Sequence, residues 1–167
     1  HKFAGMSKGI KKVLVGYPLM ATSEDVQRSA ETIMKIIPNE RRKKDAVVFM
    51  GHGTHHPANV YYAALNYHVQ KLDPNIFVGT VEGWPEIDEI KVDLTKRRIK
   101  KAYLMPFMSV AGDHARNDMA GPEPDSWKSI LEKEGIQCVP VLKGTAEYQE
   151  FVDIWVDHLR AAFEHFE

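Results

Sequence analysis

The run Ala46–Met50, AVVFM, followed at once by Gly51-His52-Gly53-Thr54, constrains the fold more than any other stretch of this chain. Its apolar residues are continuous rather than alternating, which is the pattern of a parallel strand covered on both faces. Similar short β-prone runs occur at Lys12–Leu19 (KVLVGYPL), Ile76–Glu82 (IFVGTVE), Ala102–Met108 (AYLMPFM) and Gln137–Leu142. Five strands are therefore expected.

Helical spacing fills the intervals between them. Thr22 and Ser23 lead into Val26, Ala30, Ile33 and Ile37, and Pro38 stops that helix. Ala58, Tyr61, Tyr62, Leu65, Val69 and Leu72 share one face, as do Ile87, Ile90 and Leu94. A shorter helix around Trp127, Ile130 and Leu131 ends at Gly135, and a long final helix carries Tyr148, Phe151, Trp155, Leu159, Ala162 and Phe166 on an aromatic-rich stripe. This alternation predicts an α/β fold, a three-layer αβα arrangement around a parallel sheet, with the strand C-terminal loops gathered along one edge. Ligands of such sheets bind at that edge.

Composition narrows the partners. Lys plus Arg (22) nearly balance Asp plus Glu (23), so no global field draws the chain to nucleic acid or an anionic membrane. The apolar runs fall far short of the roughly 20 residues a membrane-spanning helix needs. With Cys138 as the single cysteine, an intramolecular disulfide or a multi-thiolate metal site within one chain is excluded. A reducing cytoplasm fits; the periplasm is open if a signal peptide precedes residue 1. The opening HKFAGMSKGI starts with His and has no apolar signal core, and the expectation is that the natural N-terminus lies upstream. The charge run Glu40–Asp45 (ERRKKD) reads as a solvated helix-to-strand loop in preference to a polyanion site.

Three polar residues stand at or just beyond expected strand ends: His52 in GHG, Glu82 in VEGWPE and His114 in SVAGDH. Two imidazoles and a carboxylate form a first shell for a borderline divalent ion such as Co²⁺, Fe²⁺, Ni²⁺ or Zn²⁺ and leave positions open for a substrate. An isolated histidine is more often a hydrogen-bonded structural residue; convergence of three loops is what favours a site here. His55 and His56 read as loop residues outside the ligand set, because Gly53 and Pro57 oppose a regular helix that would pair His52 with His56. Structural roles are assigned to His68, His158 and His165, and Cys138 is assigned no chemistry. Met105, Met108, Met119, Trp84 and Phe107 are read as core, with an apolar wall for a flat ligand as the alternative.

The stretches VFMGHGTHH and VGTVEGWPEID, and above all LMPFMSVAGDHARNDMAG followed by DSWK, resemble the anaerobic sirohydrochlorin cobaltochelatases, a class II tetrapyrrole chelatase family, from about Lys12 to the C-terminus. The resemblance implies insertion of Co²⁺ into sirohydrochlorin, with release of two protons, in anaerobic cobalamin biosynthesis. It further implies that the metal is held by His52, Glu82 and His114; a neutral imidazole can also take up a proton, and His52 is expected to do both. Arg116 is a candidate for a substrate carboxylate, since sirohydrochlorin is a polycarboxylate. The family's fold has two similar halves with the macrocycle between them, and the SFGTS-like turn that opens the first half is absent here. Residues 1–45 are thus expected to be the closing strand and helix of a preceding half, and 46–167 the C-terminal half-domain, with the N-terminal half absent. A homo-oligomer is expected.

Three other readings remain open. One is Fe²⁺ insertion into sirohydrochlorin for sirohaem, and another is a non-catalytic metal or tetrapyrrole-binding module. The third is a phosphate-binding or flavodoxin-like domain, which no Walker-type or dinucleotide fingerprint supports.

Overall fold

A computed structural model describes residue 9 and residues 12–166. It contains a four-stranded, all-parallel sheet formed by β1 (Ala46–Gly51), β2 (Ile76–Thr80), β3 (Lys101–Pro106) and β4 (Gln137–Pro140), in the order β2-β1-β3-β4. Helices α1 (Ser23–Ile36), α2 (Val60–Leu72), α3 (Ile87–Lys96), α4 (Trp127–Lys133) and α5 (Gln149–Phe163) cover it. All six residues of β1 and all five of β2 are buried, so their continuous apolar runs have neighbours on both faces.

Two cores flank the sheet. On one face Val48, Met50, Phe77 and Leu104 pack with Leu94 of α3 and Trp127 and Leu131 of α4. On the other, Val47, Phe49, Val78 and Tyr103 meet Ala30 and Ile33 of α1, Leu65 and Val69 of α2, and Phe151 and Ile154 of α5. The expected three-layer αβα arrangement is present. Each fully buried side chain of this kind contributes about 1.5–3 kcal/mol by leaving water.

The helix after β1 lies on one face and the helix after β3 on the other, while β1 and β3 are neighbours. That reversal is a topological switch point, and it opens a crevice beyond the carboxyl ends of these two strands.

Lys12–Leu19 is not a strand, which leaves four strands instead of five. No described strand pairs with it; Leu14 and Gly16 are partly covered, and a Cβ on Gly16 would touch the His158 carbonyl of α5 at 3.4 Å. Val13, Val15 and Tyr17 face outward, and the chain bends at Leu19. Its alternation records packing on a helix rather than sheet pairing. The remaining strands end earlier than their apolar runs: β2 stops at Thr80, where the chain turns back so that the Thr80 amide donates to Pro85 O at 2.8 Å. β3 stops at Pro106 and β4 at Pro140.

Helix α1 starts where expected. Thr22 and Asp25 form a reciprocal capping box that satisfies amides at the helix start. Val26, Ala30, Ile33 and Ile36 of this helix share one core with β1 and β3. In α5 the buried stripe covers Phe151 and Ile154 but not Leu159, which is 52% exposed; the Phe166 side chain lies outside the described residues.

The ERRKKD run is not simply a solvated loop. Arg41, its side chain 7% exposed, pairs through its guanidinium with Asp73 at 2.6 Å, and Asp45 is buried and receives the Arg42 amide and guanidinium. These contacts tie the loop entering β1 to the loop entering β2. Burial pushes the Asp73 carboxyl up, but hydrogen bonds from Arg41 and the Asn75 amide, with the Arg41 and Lys43 charges, outweigh it and hold the carboxyl below its ordinary 3.8. Burial likewise raises Asp45, and the Arg42 bonds and charge with Lys101 bring it below 3.8. A carboxyl depressed on folding stabilises the fold above its unfolded value, and that stability is lost as pH falls from about 3.8 through the lower folded value. Arg41→Ala is expected to cost about 3 kcal/mol, the low end for breaking a buried pair, because Asp73 keeps some water and the Asn75 amide. Urea unfolding at neutral pH and near pH 3 checks both statements: the loss should be large at neutral pH and shrink in acid.

Candidate metal centre

His52 follows β1 directly, and the next turn is set by Gly53, whose φ is +80°. L-residues with a Cβ avoid this region. A Cβ at Gly53 would also stand 2.7 Å from Thr80 Cβ and 2.8 Å from the Gly83 amide nitrogen, so the turn is pressed against the loop that carries Glu82. The β1–β2 ladder continues past the strands, with the Val81 amide donating to Gly51 O at 3.1 Å and the Glu82 amide to His52 O at 2.8 Å. Glu82 and His52 are therefore held side by side by backbone bonds.

Asn59, just before α2, clamps the same two loops. Its side-chain oxygen accepts the Thr54 amide at 3.1 Å and its nitrogen donates to Trp84 O at 2.6 Å. The third loop follows β3. His114 precedes a five-residue π turn, Ala115–Met119, whose Ala115 and Met119 are buried in the core.

The three residues come together. One ligand-type atom from each of His52, Glu82 and His114 lies within 4.8 Å of the others. The imidazoles meet edge to face with centroids 4.8 Å apart, and His52 Nδ1 is 3.8 Å from a Glu82 oxygen. His52 Nδ1 lies 3.0 Å from Gly53 O; with Nδ1–H donated there, the Nε2 lone pair is free. The side chains of His52, Glu82 and His114 are 48%, 51% and 34% exposed, which leaves the cluster open on one side.

His52 and His114 also line a cavity of about 740 Å³ between the loops after β1 and β3, with Leu19, Tyr61, Phe107 and Trp155 on its walls. Among the described residues its lining is largely apolar, and it is of a size for a substantial organic ligand. Of the residues considered for an apolar wall, Phe107 and Met108 border this cavity, while Met105 and Met119 are buried in the cores. Trp84 is exposed, and its indole donates to Glu89 at 3.2 Å.

Other residues fall elsewhere. Arg116 is exposed on the π turn and is not among the cavity's lining residues. His56 caps the short turn before α2 by accepting the Ala58 amide. His158 links Asp25 at 3.0 Å to Tyr17 O at 3.3 Å, and the His165 carbonyl accepts from Lys12. Cys138 is buried, which together with Glu132 pushes its thiol up to about 12; it stays protonated and inert. Asn59 and Asp118 were not anticipated. Asn59 gives no sequence signal, since Trp84 is 25 positions away. The spacing of His114 and Asp118, one helical turn apart, is a signal that could have found the second.

A doubly wound α/β protein with nitrogen and oxygen donors grouped at its switch-point crevice, beside an apolar cleft, is suited to bring a divalent ion to a large organic ligand. The chain belongs to the cobalt chelatase (CbiK) family, which it matches over residues 2–164. It is 50% identical over 154 residues to the sirohydrochlorin cobaltochelatase CbiKC of Nitratidesulfovibrio vulgaris, covering 92% of this chain and 55% of that protein. It is 36% identical over 151 residues to the sirohydrochlorin cobaltochelatase of Salmonella typhimurium, covering 90% of this chain and 57% of that one. The chain thus spans about half the length of the curated relatives it matches. Among the described residues no helix is long and apolar enough to cross a membrane.

Proposed function

We propose that this chain carries the metal-delivering site of a sirohydrochlorin cobaltochelatase, with Co²⁺ as the substrate ion and sirohydrochlorin as its acceptor. The observation that carries the reading is the gathering of His52, Glu82 and His114 from three strand ends at the mouth of an apolar cavity. In this mechanism the two imidazoles and the carboxylate hold the ion at the cleft, and pyrrole nitrogens replace them one by one. The negative charge of Glu82 favours the cation, and the two positive charges of that ion balance the two N–H protons that leave the ring. His52, once displaced from the ion, accepts one of those protons, and the other passes to solvent on the open side of the cluster. Arg116, exposed on the π turn next to His114 but outside the cavity lining, stays the candidate for a peripheral carboxylate of the substrate.

Residues 1–45 close a preceding half-domain in this reading, and residues 46–167 form the second half, so the macrocycle lies between two lobes of a longer protein. Agreement of the two relatives' names favours cobalt over iron or nickel. A reducing cytoplasm suits the lone buried thiol. Absorbance-monitored insertion of Co²⁺ into sirohydrochlorin tests the proposal, using the chain alone and fused to the N-terminal half of the Nitratidesulfovibrio relative. Turnover by the fusion is expected. Stoichiometric binding without turnover in both would favour a binding module.

A further inference from the structure

His114 is the most isolated of the three donors. Among the described residues the β1–β3 ladder ends with the Phe107 amide bonded to Met50 O at 2.6 Å, seven positions before His114, whereas the β1–β2 ladder runs on to His52 and Glu82 themselves. His52 packs against the His114 ring edge to face, and among the described residues one side chain hydrogen-bonds to it. Asp118, four positions on, accepts a hydrogen bond from His114 Nδ1.

The π turn makes this contact possible. Ala115 and Met119 anchor its inner side in the core, and Asn117 bonds back to Asp113 at 2.8 Å on its outer side. This frame leaves the turn's geometry fixed at both edges while Asp118 faces His114. A carboxylate only accepts, so Nδ1 carries the hydrogen and the lone pair sits on Nε2. Glu82 and His52 do not contact Asp118 within hydrogen-bond distance, and Asp118 is not part of the three-donor cluster.

We propose that Asp118 is a positioning residue for metal delivery, which fixes the His114 ring and its tautomer so that Nε2 faces the incoming divalent ion. This rests on the reading of His52, Glu82 and His114 as metal ligands. Carboxylates behind metal-binding imidazoles act in this way, and their removal costs about 10–100-fold in metal affinity or activity. Because Asp118 is 46% exposed, the lower part of that range is expected.

The test is Co²⁺ binding by the full chain, followed by the visible absorption of the bound ion, in the wild type and in Asp118→Ala, Asp118→Asn and His114→Ala. Asp118→Ala is expected to weaken Co²⁺ binding about 10-fold and to alter the visible bands, with thermal stability nearly unchanged. Asp118→Asn, which can still accept Nδ1–H through its amide oxygen, is expected to recover most of the affinity and the wild-type bands. A purely structural role would leave the bands of the bound ion unmoved. Wild-type affinity and bands in Asp118→Ala, with binding lost in His114→Ala, would overturn the positioning role alone. Unchanged binding in His114→Ala would instead overturn the ligand reading beneath it. Failure of Asp118→Asn to recover either property would also contradict the proposal.

Discussion

His52→Ala and His114→Ala are each expected to abolish Co²⁺ insertion and to leave a folded protein. Their side chains are 48% and 34% exposed, so neither removal opens a core cavity, and stability should change by about 0.5 kcal/mol or less. The effect on the ion is of another order. With one imidazole gone, two donors remain, one of them a carboxylate that is half-exposed to competing water. Glu82→Ala keeps both imidazoles and is expected to weaken metal loading without removing it completely, because the lost contribution is largely charge. Isothermal titration with Co²⁺ alongside the insertion assay separates loading from turnover. Wild-type turnover in either histidine variant would remove that residue from the ligand set.

Gly53→Ala is the second large effect, and it acts through the backbone. The φ of +80° is disfavoured for alanine by about 1–2 kcal/mol. The added methyl group would stand 2.7 Å from Thr80 Cβ and 2.8 Å from the Gly83 nitrogen, closer than real Cβ contacts allow. One of these neighbours is backbone and the other belongs to the buried end of β2, so neither yields cheaply. Relief requires the His52 and Glu82 loops to separate, breaking the Glu82 amide bond to His52 O that aligns them. A loss of about 2–4 kcal/mol in urea unfolding is expected, together with at least about a tenfold loss of Co²⁺ affinity. Gly112→Ala is the matched control for stability, since its methyl group would meet no atom within 4 Å.

Features that depend on local pattern were legible in the sequence. The continuous apolar run of β1 could be buried on both faces only in a covered parallel sheet, and the glycines around His52 marked a tight turn at its end. Placing His52, Glu82 and His114 at strand ends was enough to bring them to one edge once the sheet was parallel. Features that depend on distant partners were not legible. Lys12–Leu19 has the alternation of an edge strand, yet what it meets is α5, more than 130 positions away. Arg41 looked like one charge in a solvated run, and only the fold supplies Asp73, 32 positions on. Asn59 is likewise unremarkable until the loops it joins are side by side.

A crystal of the chain soaked in Co²⁺ and measured at the cobalt absorption edge tests the three-residue ligand set directly. One strong anomalous peak is expected, about 2.0–2.2 Å from Nε2 of His52, Nε2 of His114 and a Glu82 oxygen, distances typical of such donors on a divalent ion. A peak on His55 and His56 instead, or no peak among these three side chains at saturating cobalt, would contradict the assignment of His52, Glu82 and His114 as metal ligands.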